Sequence, residues 1–503
     1  MEAKTMYARV GKTLSLFLVL AMLLTLMACG NTTPAGESQT RAEPDTQAGT
    51  GKETDAESET GRLDPHLPDR TFEGQTLSAL HWEVEGVGTD WIPWEEFYQA
   101  DMTGDTMANL IYFRGEAVKE KFKCDFEIEY TFTEDMGAVV ERLMSTGSKD
   151  YDLCMQRGAR IKHLYTGNYF LNYEDIPYIN LSAPWWGQNA LETLRLGKVH
   201  QFATSEMLYL DKGATAGVFY NATVMGNYQS QIGNKYNQVR DNTWTLEQMI
   251  DDIETVAQDL DDDGFRNSDE DLVGMVNGDD PVHFLYTGCG GLFMRPDGDG
   301  YFEYCFQEPD NLDLMEKIFN EVLYTDAFRN AFVHPTPHQM FEEDMALYTM
   351  EVIKSVHHYR SMESDYGILP VPKLDEISPY RCEVSPHHDT WMSVFHTTED
   401  PDFVGAVLEA LAWESYYSVS PDFYEVIIEG RGTRDEESRE MLGIIFDTRT
   451  YDPGLIFDLA TMGEDVLRRT ATGLTNFSSF YQEHSAQIES ELEKLNDLIF
   501  KNS

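Results

Sequence analysis

Five segments between residues 77 and 155 decide the fold: LSALHW (77–82), NLIYFRGEAVKEKF (109–122), FEIEYTF (126–132), MGAVVERLM (136–144) and YDLCM (151–155). The first and last are short apolar runs typical of strands, and the third alternates apolar and polar residues as a half-buried strand does. The second and fourth repeat apolar residues at helical spacing. The order strand–helix–strand–helix–strand predicts a mainly parallel sheet with helices on both faces.

The carboxyl ends of these strands are the expected place for a ligand, because ligands of open α/β sheets bind beyond that edge. His81 and Trp82 end the first strand, and Gln156 and Arg157 follow the third. The sequence therefore predicts a binding site in which these side chains take part.

Later segments follow in an order that resembles one known family. They are GKVHQFATSEMLYLDKGATAGVFYNATVM (197–225), TWTLEQMIDDIETVAQDL (243–260), HFLYTGCGGLF (283–293), MFEEDMALYTMEV (340–352) and YGILPVPK (366–373). Together with residues 77–152 they resemble extracellular solute-binding proteins of the family 1 type, the sugar-binding group of ABC importers that includes maltose-binding protein. The resemblance runs through most of residues 71–457.

The resemblance implies an α/β fold of the periplasmic-binding-protein type II, with two α/β lobes, a hinge and a central ligand cleft. Lobe one is expected at residues 71–208 plus 365–417. Lobe two is expected at 209–364 plus 418–503, with the C-terminal helices packing mainly on it. The segments Tyr169–Trp186 and Leu459–Ser503 have no counterpart in the family that the sequence reveals.

Sugar sites combine aromatic rings with a few polar groups that hydrogen-bond the hydroxyls. The positions expected at the cleft supply both kinds of side chain. They are His81, Trp82, Arg157, Glu206, Asn277, Asp280, Glu351 and Trp391. The adjacent Trp185 and Trp186 fit either a sugar platform or core packing.

The N-terminus has the pattern of an exported lipoprotein. Three basic residues precede an apolar run from Leu14 to Met27 that ends in Leu26-Met27-Ala28-Cys29. This matches the bacterial lipobox, which implies a signal peptide over residues 1–28, diacylglycerol on the Cys29 thiol and acylation of the new amine. Several acyl chains anchor a protein stably. The expected location is the extracellular face of the cell membrane.

The amino-acid composition distinguishes an N-terminal linker from the folded part of the chain. Residues 30–70 contain no aromatic side chain and are rich in small and acidic residues, so we expect a disordered acidic linker over 29–70. The formal net charge of −51 argues against a nucleic-acid partner and against membrane binding other than through the lipid, since both need basic surfaces.

The cysteines that remain after Cys29 follow no metal-site spacing. They are Cys124, Cys154, Cys289, Cys305 and Cys382. Cys289 and Cys305 flank an expected hairpin at residues 297–300 and suit either a disulfide or two buried thiols.

An acidic loop fits the EF-hand pattern D-x-D-x-D-G-x5-E. Its oxygen ligands are expected from Asp259, Asp261, Asp263, the Phe265 carbonyl, Asn267 and Glu270. Arg266 replaces the usual aliphatic residue, and LVGMV (272–276) after the loop indicates a strand rather than a second helix. The loop is therefore either a structural Ca²⁺ site or a solvated acidic turn.

The expected function is capture of a sugar or oligosaccharide and its delivery to the permease of an ABC importer, without enzymatic activity. A lipid-anchored glycoside hydrolase is an alternative, because 88 acidic residues leave room for the paired carboxylates that hydrolysis needs. Another surface lipoprotein, carbohydrate-active or purely structural, is a further one.

Overall fold

The computed structural model describes residues 61–83, 96–132, 136–165, 167–278, 280–331, 335–428, 436–469, 473 and 476–502. The strands are β1 Thr76–Glu83, β2 Asp125–Phe132, β3 Leu153–Gln156, β4 Ala216–Asn221, β5 Val273–Asn277, β6 Met294–Pro296, β7 Phe302–Tyr304, β8 Phe328–Asn330, β9 Ala346–Val352, β10 Tyr366–Leu369, β11 Cys382–Glu383, β12 Trp391–Val394 and β13 Arg449–Thr450. The α-helices are α1 Thr106–Phe122, α2 Met136–Thr146, α3 Gln188–Thr193, α4 Leu210–Gly213, α5 Ala222–Ile232, α6 Lys235–Arg240, α7 Leu246–Val256, α8 Pro281–Gly288, α9 Pro309–Ile318, α10 Pro337–Glu342, α11 Pro401–Glu414, α12 Ser420–Ile428, α13 Glu436–Asp447, α14 Pro453–Phe457, α15 Met462–Arg469 and α16 Phe477–Asn502. Turns of 3-10 helix cover Gly158–His163, Tyr173–Asp175, Ile353–Ser361 and Leu459–Thr461, and π-helical turns cover Phe319–Leu323 and Ser415–Val419.

The first sheet confirms the order predicted from residues 77–155. Its strands run β12-β3-β1-β2. β1 pairs parallel with β2 and with β3, and β12 adds an antiparallel edge. His81 lies opposite Met155 in β3, so the ends of β1 and β3 reach the same edge of the sheet.

The second sheet runs β10-β4-β9-β5-β8. β5 pairs parallel with β9 and β8, whereas β4 lies antiparallel between β9 and β10. The predicted start of the returning part of lobe one, at residue 365, is wrong for Tyr366–Leu369. These four buried residues pair with Val218–Asn221 and therefore belong to the second sheet.

Helix α1 buries a residue that the periodicity did not mark as core. The unexpected core residue is Arg114, which is 2% exposed, whereas the apolar side chain of its neighbour Phe113 is 55% exposed. The Arg114 guanidinium donates to the carbonyls of Met207 (3.1 Å) and Glu96 (2.8 Å) and to Ser415 Oγ (3.0 Å). A buried cation is tolerated because several oxygens accept its hydrogen bonds.

The packed chain begins before the predicted boundary at Thr71. Leu63 N donates to the Tyr417 hydroxyl (2.9 Å), and Trp413 Nε1 donates to the Leu63 carbonyl (2.8 Å). The linker prediction is therefore wrong for this end of the segment, and residues 1–60 lie outside the described part of the chain. Among the described helices, none combines the length and the apolarity that crossing a membrane requires.

The C-terminal helices divide between the two sheets instead of packing mainly on the second. The π-helical turn 415–419 and α12 pack on α1, next to the first sheet, while α13 packs on β10 and α16 on β7 and α9. Helix α14 reaches back to the 3-10 helix Gly158–His163. This last contact brings the C-terminal segment to the ligand edge of the first sheet.

Two open questions from the sequence have structural answers. Trp185 and Trp186 are buried, and both indole N–H groups donate to the buried Glu409 carboxylate (2.8 and 2.9 Å), so the pair belongs to the core.

Cys289 and Cys305 are free buried thiols, and the five described cysteines form no disulfide. The hairpin between them is present as β6 and β7.

Candidate functional site

Two arginines meet an aromatic ring where β1 and β3 end. Trp82 is the last apolar residue of β1, and Arg157 precedes the 3-10 helix Gly158–His163 that follows β3. The Arg157 guanidinium lies 4.6 Å from the centre of the Trp82 ring, and that of Arg160 lies 5.4 Å from it. Cation–π contacts of this kind orient guanidinium groups over the ring.

A pocket opens beside this arginine pair, between the first sheet and the C-terminal segment. Its lining comes from the 3-10 helix, α8, the segment before β12, and the turns around α14 and α15. The residues are Ala159, Arg160, Lys162, His283, His387, Leu455, Asp458, Gly463 and Glu464. The lining residues are far apart in the sequence, so the pocket exists only in the folded chain.

The two pocket histidines are neutral at physiological pH. Burial lowers the pKa of His283 to about 3, and the neighbouring His387 adds to the effect. Burial lowers the pKa of His387 as well. His283 Nε2 donates to the Gly463 carbonyl (3.2 Å). Because the one N–H of the neutral His283 already donates to Gly463, its other ring nitrogen is an acceptor, whereas His387 has one donor and one acceptor.

The second sheet supplies an acidic group of side chains at its own carboxyl edge. Glu351 near the end of β9 is half-buried, and Asp280 precedes α8. Burial, and then the charge of Asp280, raise the pKa of Glu351 to about 8. The same two causes, with Asp452, raise the pKa of Glu383 to about 8. Protonated carboxyls at neutral pH donate as well as accept hydrogen bonds.

A lysine that follows a strand of the second sheet contacts a segment that leads into the first sheet. Lys354 follows β9, and its Nζ donates to the His388 carbonyl (3.5 Å) in the segment before β12. Burial lowers the pKa of Lys354 to about 7, and the charge of Arg157 adds to this lowering. The carboxyl ends of both sheets therefore face each other across one cleft.

Solved structures have a similar fold at low sequence identity, each with a TM-score of 0.52. A cyclo/maltodextrin-binding protein complexed with maltotetraose is 12% identical and covers 86% of this chain and 98% of its own. A sugar transporter from Rhizobium etli in an open conformation is 14% identical and covers 84% and 98%. UspC from M. tuberculosis is 13% identical and covers 82% and 99%.

The chain has the two-lobe fold of ABC solute-binding proteins. The prediction of a periplasmic-binding-protein type II fold is thereby confirmed. No protein-family model and no curated protein matches the sequence. The likeness to the solved structures concerns the fold, and the ligand has to be inferred from the cleft itself.

Four of the predicted residues lie at the cleft of this solute-binding fold. Arg157 covers the Trp82 ring, which is 3% exposed and is therefore a support for the guanidinium rather than an open platform. Asp280 is exposed, and Glu351 lies 3.7 Å from His338 through Oε1 and Nδ1. These residues remain ligand candidates.

The other predicted residues already have partners within the protein. His81 Nδ1 donates to the Trp82 carbonyl (2.9 Å), and burial lowers the pKa of His81 to about 4. Asn277 exchanges two hydrogen bonds with the Met350 backbone (2.6 and 2.8 Å) and so joins β5 to β9. Trp391 is 1% exposed, and its Nε1 donates to Asp389 Oδ2 (2.6 Å).

Glu206 lies in the segment that crosses between the two sheets. It forms an ion pair with Lys212 and accepts a hydrogen bond from the Ser420 hydroxyl. Burial alone would raise the pKa of Glu206, but the charges of Lys212 and Arg449 lower it overall. The structure therefore gives Glu206 a role in holding the crossing segment.

The sequence prediction missed most of the pocket lining. Arg160 and Lys162 follow a predicted strand end and were within reach of the same reasoning that selected Arg157. Asp458 and Glu464 come from the C-terminal segment, for which the family resemblance offers no guide. His283 was inside the quoted Gly-Gly segment, but nothing in its sequence context marks the side chain as facing a pocket.

The acidic loop clusters three of the carboxylates expected to bind a cation. One oxygen from each of Asp259, Asp261 and Asp263 lies within 4.8 Å of the others. Asp259 Oδ1 is buried and accepts no hydrogen bond from the described residues. Carboxylate oxygens are the kind of ligand that Ca²⁺ prefers, and three of them form part of the set that it takes. Glu270, the expected twelfth-position ligand, is exposed.

Two residues outside the expected ligand set hold the acidic loop in place. Asp271 is fully buried and accepts backbone N–H groups from Leu260 (2.8 Å) and Ser268 (2.7 Å). Arg266, which departs from the usual pattern, pairs with Glu254 (2.9 Å) and Asp326. The strand expected after the loop is present as β5.

Proposed function

We propose that the protein is a lipid-anchored extracellular solute-binding protein that captures a sugar or oligosaccharide and delivers it to an ABC importer. The observation that carries the proposal is the cleft at which the carboxyl ends of both sheets meet. Lys354 after β9 contacts the segment before β12, and Arg157 after β3 lies close enough to influence its charge. A ligand in that cleft contacts both lobes and favours their closure.

The chemistry of the cleft supports a polyhydroxylated ligand. It offers neutral imidazoles, carboxyls that donate and accept hydrogen bonds, and cations in place of a purely apolar wall. The similar structures include a maltodextrin-binding protein complexed with maltotetraose and a sugar transporter. Both observations favour a carbohydrate ligand and an importer as the partner.

The test is a thermal-shift screen of the purified full chain against a panel of neutral and acidic glycans. Binding raises stability by RT ln(1 + [L]/Kd), so a ligand at 100 times its Kd stabilises by about 2.7 kcal/mol. The same samples are then analysed for released sugars. Stabilisation without hydrolysis supports the proposal. Hydrolysis would establish the glycoside hydrolase instead, and a melting temperature that no glycan raises would refute sugar binding.

The lipid anchor rests on Cys29, which lies outside the described residues. We expect the wild-type chain to partition into the membrane fraction of a bacterial host with a lipoprotein pathway, and Cys29→Ala to lose its lipid and become soluble. Labelling with a radioactive fatty acid measures the lipid directly. An alanine variant that is still labelled or membrane-bound would contradict the anchor.

The acidic loop is proposed to bind Ca²⁺ in a structural role. Three carboxylates within 4.8 Å repel one another, and a divalent cation relieves that repulsion. EDTA should lower the melting temperature of the full chain, and Ca²⁺ should restore it more effectively than Mg²⁺, which demands a tighter octahedral geometry.

The loop contains its own matched control. Asp261→Asn removes a clustered carboxylate, whereas Asp262→Asn removes an exposed charge of the same loop that lies outside the cluster. The first variant should lose most of the response to Ca²⁺ and the second should keep it. Equal responses, or a wild-type melting curve that ignores EDTA and excess Ca²⁺, would leave the loop as a solvated acidic turn.

A further inference from the structure

Three buried polar side chains come together around Asp389-Thr390-Trp391, the segment that leads into β12 and includes its first residue. They are Glu96, Gln156 and Lys354, which are 4%, 1% and 8% exposed. They belong to the segment before α1, the end of β3 and the 3-10 helix that follows β9. The fold therefore brings polar groups from three separate parts of the chain to one part of the cleft.

Two of the side chains are neighbours of this segment from the side of the first sheet. Gln156 lies opposite Trp391 in the antiparallel pair of β3 and β12. Burial raises the pKa of Glu96 to about 7, and the Thr390 hydroxyl opposes this rise. Gln156 and Glu96 therefore lie close to consecutive residues of the same short stretch of backbone.

Lys354 approaches the segment from the second sheet. Its Nζ donates to the His388 carbonyl over a long distance of 3.5 Å. Burial lowers the pKa of Lys354 to about 7, although the charges of Glu96 and Asp389 oppose this fall. In the described part of the chain, neither carboxylate comes within the 4.0 Å of an ion pair with the ammonium group. The buried cation is therefore only partly compensated.

The structure leaves hydrogen-bonding groups of these side chains without a partner. Nε2 and Oε1 of Gln156 are buried, and no described residue forms a hydrogen bond with either atom. Glu96 Oε2 accepts the Leu210 N–H (3.1 Å), whereas Oε1 is buried and forms no hydrogen bond of normal geometry, even with the nearby Thr390 hydroxyl. Buried polar groups nearly always have a partner, because burial removes the hydrogen bonds that water provides. At the ligand edge of a sheet, a bound molecule is the expected partner.

The open groups match the hydroxyls of a sugar. A hydroxyl donates one hydrogen bond and accepts others. Glu96 Oε1 accepts, the Lys354 ammonium group donates, and the Gln156 amide does both. Charges of both signs surround these side chains, so the surroundings favour a neutral ligand over an ionic one.

We propose that Glu96, Gln156 and Lys354 form an enclosed subsite of the cleft that binds adjacent hydroxyl groups of a neutral sugar. The Gln156 amide presents a donor beside an acceptor, so it bonds to two neighbouring hydroxyls at once. Glu96 and Lys354 bond to the same hydroxyls from the segment before α1 and from the second sheet. The inference rests on the proposed function, because it names the residues and the class of sugar for the same cleft.

Polar groups that only a ligand satisfies make the free protein less stable. Gln156→Met replaces the amide by an apolar side chain of similar size and so removes the unpaired groups. The ligand-free variant should therefore have a midpoint of urea unfolding equal to that of the wild type or higher. An amide with a structural role would give the opposite result.

The test titrates the full chain by calorimetry with maltotriose, cellotriose, mannotriose and galactotriose, and with trigalacturonate as the acidic comparison. We expect at least one neutral trimer to bind. Gln156→Met should weaken its affinity at least tenfold, and so should Glu96→Gln. The second variant retains an oxygen for the Leu210 N–H but replaces the open acceptor by a donor.

Gln248→Met is the matched control. Gln248 on α7 is partly buried, and its amide donates to Asp252 Oδ1 (3.1 Å). The same substitution there removes a hydrogen bond that exists in the free protein, so it should lower the urea midpoint and change sugar affinity less than twofold. The two glutamine variants should therefore change stability and affinity in opposite ways.

The outcomes separate this subsite from sugar capture itself. Unchanged affinity in either Gln156→Met or Glu96→Gln overturns the subsite and leaves sugar capture standing. So does a Gln156→Met variant whose urea midpoint falls as far as that of Gln248→Met, and so does binding of trigalacturonate alone. If no trimer binds the wild type, sugar capture fails and the subsite fails with it.

Discussion

The ion pair of Lys212 and Glu206 provides a quantitative test of the crossing segment between the sheets. The side chains are 8% and 14% exposed, and Glu206 also accepts the Ser420 hydroxyl. Breaking a buried pair by removing one partner costs about 3–5 kcal/mol, because the other charge is left uncompensated. The Ser420 hydroxyl and the charge of Arg449 remain near Glu206, so we expect Lys212→Met to lie near the lower limit, about 3 kcal/mol.

Removal of both charges should cost much less. Replacing a buried ion pair by apolar residues of similar volume is often neutral, so Lys212→Met combined with Glu206→Met should be within about 1 kcal/mol of the wild type. Urea unfolding at pH 7, followed by tryptophan fluorescence, gives the four free energies of a double-mutant cycle. Single variants whose losses simply add in the double variant would refute the coupling.

The cycle also tests the role that the sequence assigned to Glu206. A ligand residue changes sugar affinity when it is replaced and has little effect on the free protein. The structure predicts the reverse for Glu206→Gln, which is a loss of stability with sugar affinity changed less than twofold. A large loss of affinity in a variant of unaltered stability would restore Glu206 to the binding site.

Two further predictions concern groups near the cleft. Asn277→Ala should lower the free energy of unfolding by about 1–3 kcal/mol, the usual cost of unpaired buried backbone groups, with sugar affinity unchanged in calorimetry; weaker binding at full stability would contradict this. Glu383 has a folded pKa of about 8, raised by burial and by Asp452 and Asp280, so the folded state retains a proton that the unfolded state has lost, and stability falls as pH rises toward 8. Glu383→Gln should therefore reduce the fall in stability between pH 6.5 and 8 by up to about 1.4 kcal/mol per pH unit. Urea unfolding of the variant and the wild type at several pH values measures this fall. The same dependence of unfolding free energy on pH in both proteins would contradict the raised pKa of Glu383.

The sequence predicted the first sheet well because its evidence is local. Each strand and helix between residues 77 and 155 has its own periodicity, and the predicted elements differ from the observed ones only at their ends. Thr245 shows a similarly local contact, because it caps α7 with its hydroxyl accepting the Gln248 N–H (3.3 Å). The Gln248 side chain donates to Asp252, one turn further along the same helix, instead of returning to the cap.

Long-range pairing set the limit of the prediction. The strand at 366–369 has the same local pattern whichever sheet it joins, and only its pairing with β4 places it in the second. The burial of Arg114 could not be predicted from its neighbours in the sequence either, since its oxygen partners lie at residues 96, 97, 207 and 415. Such partners become visible only when the chain is folded.

The candidate site shows the same division between local and long-range evidence. Reasoning from strand ends found Arg157 and Trp82, and the contact between them is present. The positions expected at the cleft from the family resemblance added Asn277 and Trp391, whose side chains bond to backbone and to Asp389 instead. A residue type that suits a ligand equally suits a buried hydrogen bond, and burial decides between the two roles.

The surroundings of Trp82 show why an aromatic residue at a strand end is not by itself a sugar platform. An aromatic ring open to a sugar would need one free face, whereas Trp82 is 3% exposed beneath Arg157. The ring therefore supports the Arg157 guanidinium and is not an open sugar platform.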